Sequence, residues 1–505
     1  MSIVRRNIVA NVAGRGWSAL LSLAVIPVYI HLLGIEAYGL IGFFLSLMAI
    51  LSLLDLGLGT ALNRQFAQYS AQSGKAQEMR DLLRTLEIIY WLIGIAIAVT
   101  MAALAPAIAA YWINPQQLAA ETVIQSLAMM GIAVAFQWPR TLYSGGLTGM
   151  QKQAAYNLLS SITGTANSVG GVLVVWLVSP TIQALIAWTM AVSLVDTLLT
   201  GLLLRRLLPQ APARPAFNRR LLADIWRFAA GMTGISVMSV ILTQLDKMIL
   251  VKVLPLDAFG YYNLASRVAG GLYFLIGPIS AAFFPRFSQL LMINDRRELA
   301  RLYNRGCQLM SVAVLPIAAV LALFSNDFLL LWTHDAAIAA NSGTMLSLLA
   351  IGTAINGLMN LPVTLQLASG GTRLVFYIHS IAVILMGPFI YFMSLRYGGL
   401  GAAWVWLILN CGYVVFALPI IHRRLLPGHL RQWFMMDVGA PLIAALLAAG
   451  LWRQAAGVQD SYAWMLFNLV AVSLFTPLAA AFAAPQIRGL IVHYLSGRAQ
   501  PKAGP

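Results

Sequence analysis

The sequence predicts an all-α polytopic membrane protein with about fourteen transmembrane helices. Hydrophobic residues make up 60% of the 505 residues, charged residues make up only 10%, and the mean hydropathy is +0.81. A typical soluble domain carries about 25% charged residues. The apolar residues form long continuous runs, and about 20 such residues cross the hydrocarbon core of a bilayer. The runs also fall into two copies of one pattern, followed by an extra apolar pair.

The two copies are related by adding 221 to a residue number. Glu36-Ala37-Tyr38-Gly39 corresponds in this way to Asp257-Ala258-Phe259-Gly260. Further pairs with this offset are Phe66 and Phe287, Gln68 and Gln289, Arg80 and Arg301, Arg84 and Arg305, and Gly149 and Gly370. Each copy holds six predicted spans, so both copies run in the same direction, and transporters are commonly built from such repeats.

This duplication predicts the domain organisation. A polar stretch containing Pro209, Pro212 and Pro215 separates the copies. The predicted segments are a six-helix N-terminal lobe (1–204), a cytoplasmic linker (205–226), a six-helix C-terminal lobe (227–421), an extra helix pair (422–485) and a cytoplasmic tail (486–505).

The distribution of Lys and Arg predicts the orientation. With both termini in the cytoplasm, 26 of the 32 basic residues fall in cytoplasmic segments and three fall in external loops. This asymmetry is typical of the positive-inside rule. The net charge of +16 therefore indicates membrane topology rather than nucleic-acid binding.

Ionisable side chains within membrane spans are costly, and they are functional candidates for that reason. The candidates are Arg15, Asp55, Asp196, Asp246, Lys247 and Arg267. Counting residues from the hairpin turns at about 1.5 Å per residue places Arg15 and Asp55 at one level. The same count places Asp246, Lys247 and Arg267 at another level, near the middle of the membrane. Each set is either a static ion pair or part of a polar substrate cavity.

Two further charges are less clearly placed by this count. Asp196 in the sixth span has no basic residue at a matching depth, which makes it either protonated or a candidate cation site. Arg140, near the inner end of the fourth span, either adds positive charge to a binding site or is a positive-inside residue.

Enzymatic chemistry is not indicated. The sequence contains no paired catalytic carboxylates, no His/Cys metal spacing and no phosphate-binding glycine loop, so no catalytic residue, metal or cofactor is expected. Its external loops are too short for the large external domain that a glycan polymerase or glycosyltransferase needs. A purely structural scaffold would give no reason for charges within the spans.

Several motifs resemble those of a known family. They are Leu33-Gly34-x-Glu36-x-Tyr38-Gly39, Leu54-Asp55-Leu56-Gly57-Leu58-Gly59, Gly149-x-Gln151-Lys152 and the six-plus-six repeat. Together they resemble the polysaccharide and O-antigen flippases of the multidrug/oligosaccharidyl-lipid/polysaccharide exporter superfamily. The resemblance implies two six-helix lobes around a central cavity, and alternating access to that cavity.

The resemblance also implies a substrate and its site. The substrate would be an undecaprenyl-diphosphate-linked oligosaccharide, moved from the inner to the outer leaflet of a bacterial inner membrane. By match of location, Arg15, Lys247 and Arg267 would hold the diphosphate, with Arg140 as an additional cation. Asp55, Asp246 and Asp196 would be coupling or ion-pair carboxylates. Polysaccharide polymerase and assembly proteins are the expected partners.

Two relatives of this family are the alternatives. A peptidoglycan-precursor flippase also has fourteen spans, but its characteristic Ser-Arg-x-x-Gly-x-x-Arg-Asp stretch is missing from the first span. Drug/cation antiporters of the superfamily usually have twelve spans, so the extra helix pair disfavours them.

Overall fold

The computed structural model describes residues 16–18, 20–457 and 461–489, and these residues form helices and turns without a β-strand. A backbone in lipid must satisfy its own hydrogen bonds, which favours helix throughout the apolar runs. The helices of the first half are α1 (Ile26–Leu33), α2 (Ile35–Leu51), α3 (Leu58–Ser70), α4 (Ala76–Tyr111), α5 (Ala120–Gly149), α6 (Gln153–Leu177), α7 (Ile182–Leu207) and α8 (Arg219–Val253).

The second half begins at α9, whose counterpart in the first half is α2, because α8 already lies in the second copy of the sequence repeat. Its helices are α9 (Leu256–Gly270), α10 (Tyr273–Met292), α11 (Arg296–Leu323), α12 (Ser325–Thr333), α13 (Ala336–Ala368), α14 (Thr372–Gly412), α15 (Leu418–Leu425), α16 (Leu430–Gln432), α17 (Ala440–Ala456) and α18 (Tyr462–Ala483). Helices α2 and α9 begin at repeat-related positions, Ile35 and Leu256, and the predicted copies are therefore visible in the helix boundaries.

Helix starts and stops follow local chemistry. The Asn218 side chain accepts hydrogen bonds from the backbone N–H groups of Arg220 and Leu221, at 3.0 and 3.4 Å, and so caps α8. Prolines in the preceding stretch cannot continue a helix, so α7 ends at Leu207 and the chain crosses to α8 as a non-helical linker.

The repeat-related glycines form a symmetric close contact within the first compact unit. A Cβ added at Gly39 would lie 2.5 Å from the Leu256 carbonyl oxygen, and a Cβ added at Gly260 would collide with the Ile35 carbonyl oxygen. Both pairs exchange under the offset of 221. Only glycine allows backbones to approach this closely, which explains why the motif keeps a glycine in both copies.

The polytopic membrane fold is confirmed, whereas the count of about fourteen spans stays a prediction. Among the described residues, twelve helical runs are long and apolar enough to cross a membrane. One run, Thr372–Leu425, is 54 residues long and contains a non-helical turn at Gly398 (φ 59°, ψ −142°), so it has the length of two spans. The 35-residue helix α8 is not among the twelve.

Two compact units divide the chain, residues 1–260 and residues 261–505. In the first unit, α8 packs against α2, α3 and α4. The first unit therefore extends past the predicted linker at 205–226. In the second unit, α17 and α18 pack against each other and against α11.

Candidate functional site: paired charges in the helices

Arg140 on α5 and Asp196 on α7 form an ion pair. The Arg140 Nε lies 2.5 Å from Asp196 Oδ2, and the two side chains are 30% and 10% exposed. Arg140 also donates from Nη2 to the Ser160 hydroxyl at 2.8 Å. The Thr163 hydroxyl donates to Asp196 Oδ1 at 3.0 Å. Each charge is thus held by its counter-ion and by a hydroxyl of α6.

A ladder of polar contacts extends this pair along α5 and α7. The Gln137 amide donates to the Ser193 hydroxyl at 2.8 Å, and the Thr197 hydroxyl donates to the Phe136 carbonyl at 2.7 Å. Contacts between polar groups of neighbouring helices are favourable where water is scarce. The pair therefore belongs to the packing of α5, α6 and α7.

The expectation that Asp196 has no basic partner is wrong. Residue counting compared only helices joined by one turn, whereas α5 and α7 are separated in the chain by α6. A long arginine side chain also reaches across several ångströms of axial offset. The chain thus supplies Asp196 with a cation that hairpin arithmetic could not identify.

Asp246 and Lys247 form the second pair, on α8. The Lys247 Nζ lies 3.1 Å from Asp246 Oδ2 and 3.2 Å from Oδ1. It also donates to the Thr243 carbonyl at 3.2 Å. The side chains are 18% exposed for Lys247 and 15% exposed for Asp246. Consecutive residues of a helix do not face one another, so the contact depends on the flexible lysine stem folding back.

The structure describes one of the other two predicted cations. Arg267 lies near the end of α9 in the second unit, and it is exposed. Arg15 lies outside the described residues. The predicted common level of Asp246, Lys247 and Arg267 and the predicted pairing of Arg15 with Asp55 stay predictions.

Asp55 lies where the second predicted span is broken. A 3₁₀ turn, Ser52–Asp55, ends α2, and the following residues Leu56 (φ 48°) and Gly57 (φ 77°) are left-handed. The Tyr90 hydroxyl donates to Asp55 Oδ1, and the Gly59 N–H donates to Oδ2 at 3.3 Å. Interrupted spans of this kind occur at the binding sites of transporters. The apolar pattern of the sequence had predicted one continuous span here.

Two buried acids were missed by the sequence analysis. Glu87, 4% exposed, contacts Arg205 Nη2 at 2.7 Å. Asp437 is fully buried and accepts a hydrogen bond from the Gln308 amide at 2.8 Å. Both acids lie at predicted span boundaries, where charge is unremarkable. The sequence repeat nevertheless links the two sites, because Glu87 and Gln308, the partner of Asp437, are related by the offset of 221.

In the part of the chain that the structure describes, no three His, Cys, Asp or Glu side chains are grouped as metal ligands. The arrangement instead offers paired and singly placed charges within membrane helices.

We expect Asp196→Asn to destabilise the protein, because it leaves the Arg140 guanidinium without its carboxylate in a partly buried site. Breaking a fully buried pair costs about 3–5 kcal/mol, and the partial exposure of Arg140 reduces our expectation to about 2 kcal/mol. Thermal unfolding of the purified protein in detergent measures the effect. The double variant Arg140→Gln with Asp196→Asn should regain most of the loss. An Asp196→Asn protein as stable as the wild type would contradict a structural role for the pair.

Comparison with known proteins identifies the family. Residues 30–333 match the model of a family described as polysaccharide biosynthesis protein. A protein of Shigella flexneri named "Putative O-antigen transporter" is 22% identical over 409 residues, which cover 81% of this chain and 95% of that protein.

Solved structures share the fold. The lipid II flippase MurJ in an inward closed conformation has a TM-score of 0.74 at 15% identity and covers 96% of this chain and 99% of its own. An inward-facing multidrug resistance MATE family transporter of the MOP superfamily has a TM-score of 0.65 at 16% identity, covering 82% of this chain and 96% of its own.

These relatives are named as transporters and flippases, and none is named as an enzyme. They confirm both the predicted fold class and the prediction of a non-enzymatic membrane transporter. The family match extends over more than half of the sequence, and the chain therefore belongs to the polysaccharide biosynthesis protein family.

Proposed function

We propose that this protein is a flippase for undecaprenyl-diphosphate-linked oligosaccharide, the repeat unit of an O-antigen, capsule or exopolysaccharide. It would move this substrate from the inner to the outer leaflet of a bacterial inner membrane by alternating access, with both termini in the cytoplasm. The observation that carries the proposal is the family match over residues 30–333. That range includes every described candidate charge, from Asp55 to Arg267.

The substrate class sets a chemical requirement on the site. A diphosphate must leave water during translocation, and a cation within the spans offsets the cost of that transfer. Lys247 is suited to this role, because its ammonium group is held by a carboxylate on the same helix and by one carbonyl oxygen. A diphosphate oxygen can replace either contact without moving a helix.

We assign the remaining charges by the same criterion. Arg267 is exposed on α9 and, together with Arg15, is the proposed additional contact for the diphosphate. Arg140 is already fixed by Asp196 and by Ser160, so we assign it to helix packing. Asp55 and Asp246 are the proposed coupling carboxylates, since each accepts hydrogen bonds from groups that a substrate can displace.

The break at Asp55 supports alternating access. Left-handed residues Leu56 and Gly57 separate the 3₁₀ turn from α3. Such a break lets one segment of a span tilt without unfolding the other, which is how discontinuous helices serve transporters. Polysaccharide polymerase and assembly proteins are the proposed partners, because exported repeat units must be joined outside the membrane.

The family match does not favour the two alternatives. A peptidoglycan-precursor flippase is supported by fold likeness alone, and the MATE structure leaves more of the chain unmatched. The extra helix pair distinguishes glycan transporters from antiporters less well than the sequence suggested. The S. flexneri relative is itself matched over 95% of its length by 81% of this chain, so chain length does not separate glycan transporters from antiporters.

We expect cells that lack this protein to accumulate lipid-linked oligosaccharide in the inner leaflet while its synthesis continues. Inner-leaflet glycan is protected from a membrane-impermeant reagent in intact spheroplasts and becomes reactive after lysis. Expression of the wild-type protein should restore surface glycan and make the lipid-linked glycan reactive in intact spheroplasts. Unchanged surface glycan in the deletion strain would contradict the proposal, as would formation or cleavage of glycosidic bonds by the purified protein.

The role of Lys247 is tested by exchanging it with its contact partner. We expect Lys247→Gln to abolish export while the protein still reaches the membrane. The exchange Asp246→Lys with Lys247→Asp keeps both charges but turns the cation by about 100° around the helix axis. A diphosphate-binding lysine should not tolerate this exchange, so the exchanged protein should reach the membrane without supporting export.

The matched control is Arg396→Gln, which removes one exposed cation from α14 and should leave export intact. Full export by the exchanged pair would contradict the binding role of Lys247 and leave it only a structural one.

A further inference from the structure

A basic cleft lies at the end of the first helical unit that is predicted to face the cytoplasm. Its volume is about 500 Å³. The lining residues are Arg80, Leu83, Arg84, Glu87, Arg205, Leu208, Arg214 and Pro215. They come from the first turns of α4, the last turns of α7 and the linker after it. We call this the arginine cleft.

The linker forms a fixed wall of the arginine cleft, because α4 binds its backbone at successive positions. The Ala213 N–H donates to the Gln77 side chain at 3.1 Å, and the Ala216 N–H donates to Asp81 Oδ1 at 2.9 Å. The Asn218 N–H donates to the Thr85 hydroxyl at 2.8 Å.

The other end of the linker is held by a cleft residue. Arg80 Nε donates to the Pro209 carbonyl at 2.8 Å. The Arg80 side chain thereby supports the wall, and Arg84, Arg205 and Arg214 also line the cavity. These hydrogen bonds hold the linker against α4.

Positive charge dominates the lining. Four arginines stand against a single carboxylate, Glu87. Glu87 contacts Arg205 at 2.7 Å and lies 3.9 Å from Arg84, so it offsets about one of the charges. The nearby Asp81 carboxylate is occupied by the Gln77 amide at 2.9 Å and by the linker. Guanidinium groups present paired donors that match the oxygens of phosphate.

The position of the arginine cleft along α4 suggests the origin of its ligand. Counting about 20 residues back from Ala109 puts the edge of the hydrocarbon core near Tyr90. Arg84 lies six residues further along the helix, about 9 Å by the helical rise. This count places Arg84 at the level expected for phospholipid headgroups, where basic pockets between transmembrane helices bind anionic lipids.

The second copy of the repeat lacks an equivalent open cleft. Gln308, the counterpart of Glu87, donates to Asp437 at 2.8 Å and accepts from the Gln486 N–H at 2.9 Å. The C-terminal segments therefore cover this surface of α11. Arg301, the counterpart of Arg80, contacts Glu298 at 2.9 Å.

We propose that the arginine cleft binds the phosphate group of an anionic ligand at the membrane surface, with phospholipid headgroups and free phosphate as its two possible sources. The site is separate from the transport charges, and it does not depend on the proposed function.

Binding can be measured on the full-length protein in neutral detergent. One titration adds phosphatidylglycerol, with phosphatidylcholine as the zwitterionic reference of zero net charge, and follows thermal unfolding and the lipids retained in native mass spectrometry. A second titration adds sodium phosphate at constant ionic strength. We expect the double variant Arg84→Gln with Arg214→Gln to raise the half-saturating concentration about tenfold. This applies to the ligand that stabilises the wild-type protein. Both side chains are exposed, so folding should be unaffected.

The matched control is Arg301→Gln with Arg305→Gln, which also removes two charges, at the second-copy counterparts of Arg80 and Arg84. The half-saturating concentration of this control should stay within about twofold of the wild-type value. Glu87→Gln, which introduces the amide found in the second copy, should tighten binding by removing the competing carboxylate.

The two titrations separate the sources. Stabilisation by phosphatidylglycerol alone assigns the cleft to a lipid headgroup, whereas stabilisation by phosphate assigns it to a soluble anion. An equal loss of affinity in the cleft variant and in the control would show unspecific attraction to surface charge and overturn the proposal. Absence of a response to either ligand would overturn it as well.

Discussion

The cost of removing a charge from water shapes this protein more than any other constraint. A charged side chain within a bilayer must be paired, hydrated or functional. The pair formed by Arg140 and Asp196, at 2.5 Å, meets this requirement inside one bundle and joins α5 to α7. Lys247 meets it differently, through a carboxylate on the same helix. A charge neutralised by a carboxylate on its own helix can exchange that partner for a substrate, which is why we propose Lys247 as a diphosphate contact.

Hydropathy and duplication were sufficient to predict the fold class, because lipid forces long apolar segments into helices. The pairing of charged side chains was harder to predict from the sequence. Counting from hairpin turns could not pair Asp196 with Arg140, since side chains on non-consecutive helices meet only through tertiary packing. The break after Asp55 depends on left-handed residues that apolar periodicity does not reveal. Glu87 was overlooked because its predicted position at a span boundary suggested hydration.

The two copies have kept some features and changed others. Gly39 and Gly260 still make the same close backbone contact, because any larger side chain would separate the crossing helices. Glu87 and Gln308, at equivalent positions, now have different surroundings. The first copy leaves an open basic cleft there, and in the second copy Asp437 and the segment after α18 cover the site. The unduplicated helix pair therefore has a structural reason to pack against the second copy.

The central claim is that this protein moves lipid-linked oligosaccharide across a bilayer without chemical change. The most direct measurement uses purified protein in liposomes that contain labelled undecaprenyl-diphosphate oligosaccharide in both leaflets. A membrane-impermeant enzyme then removes the glycan from every lipid that reaches the outer leaflet. The account predicts that the inner-leaflet population is also consumed in proteoliposomes and stays protected in protein-free liposomes. Equal protection in both preparations, with correctly folded protein, would contradict it.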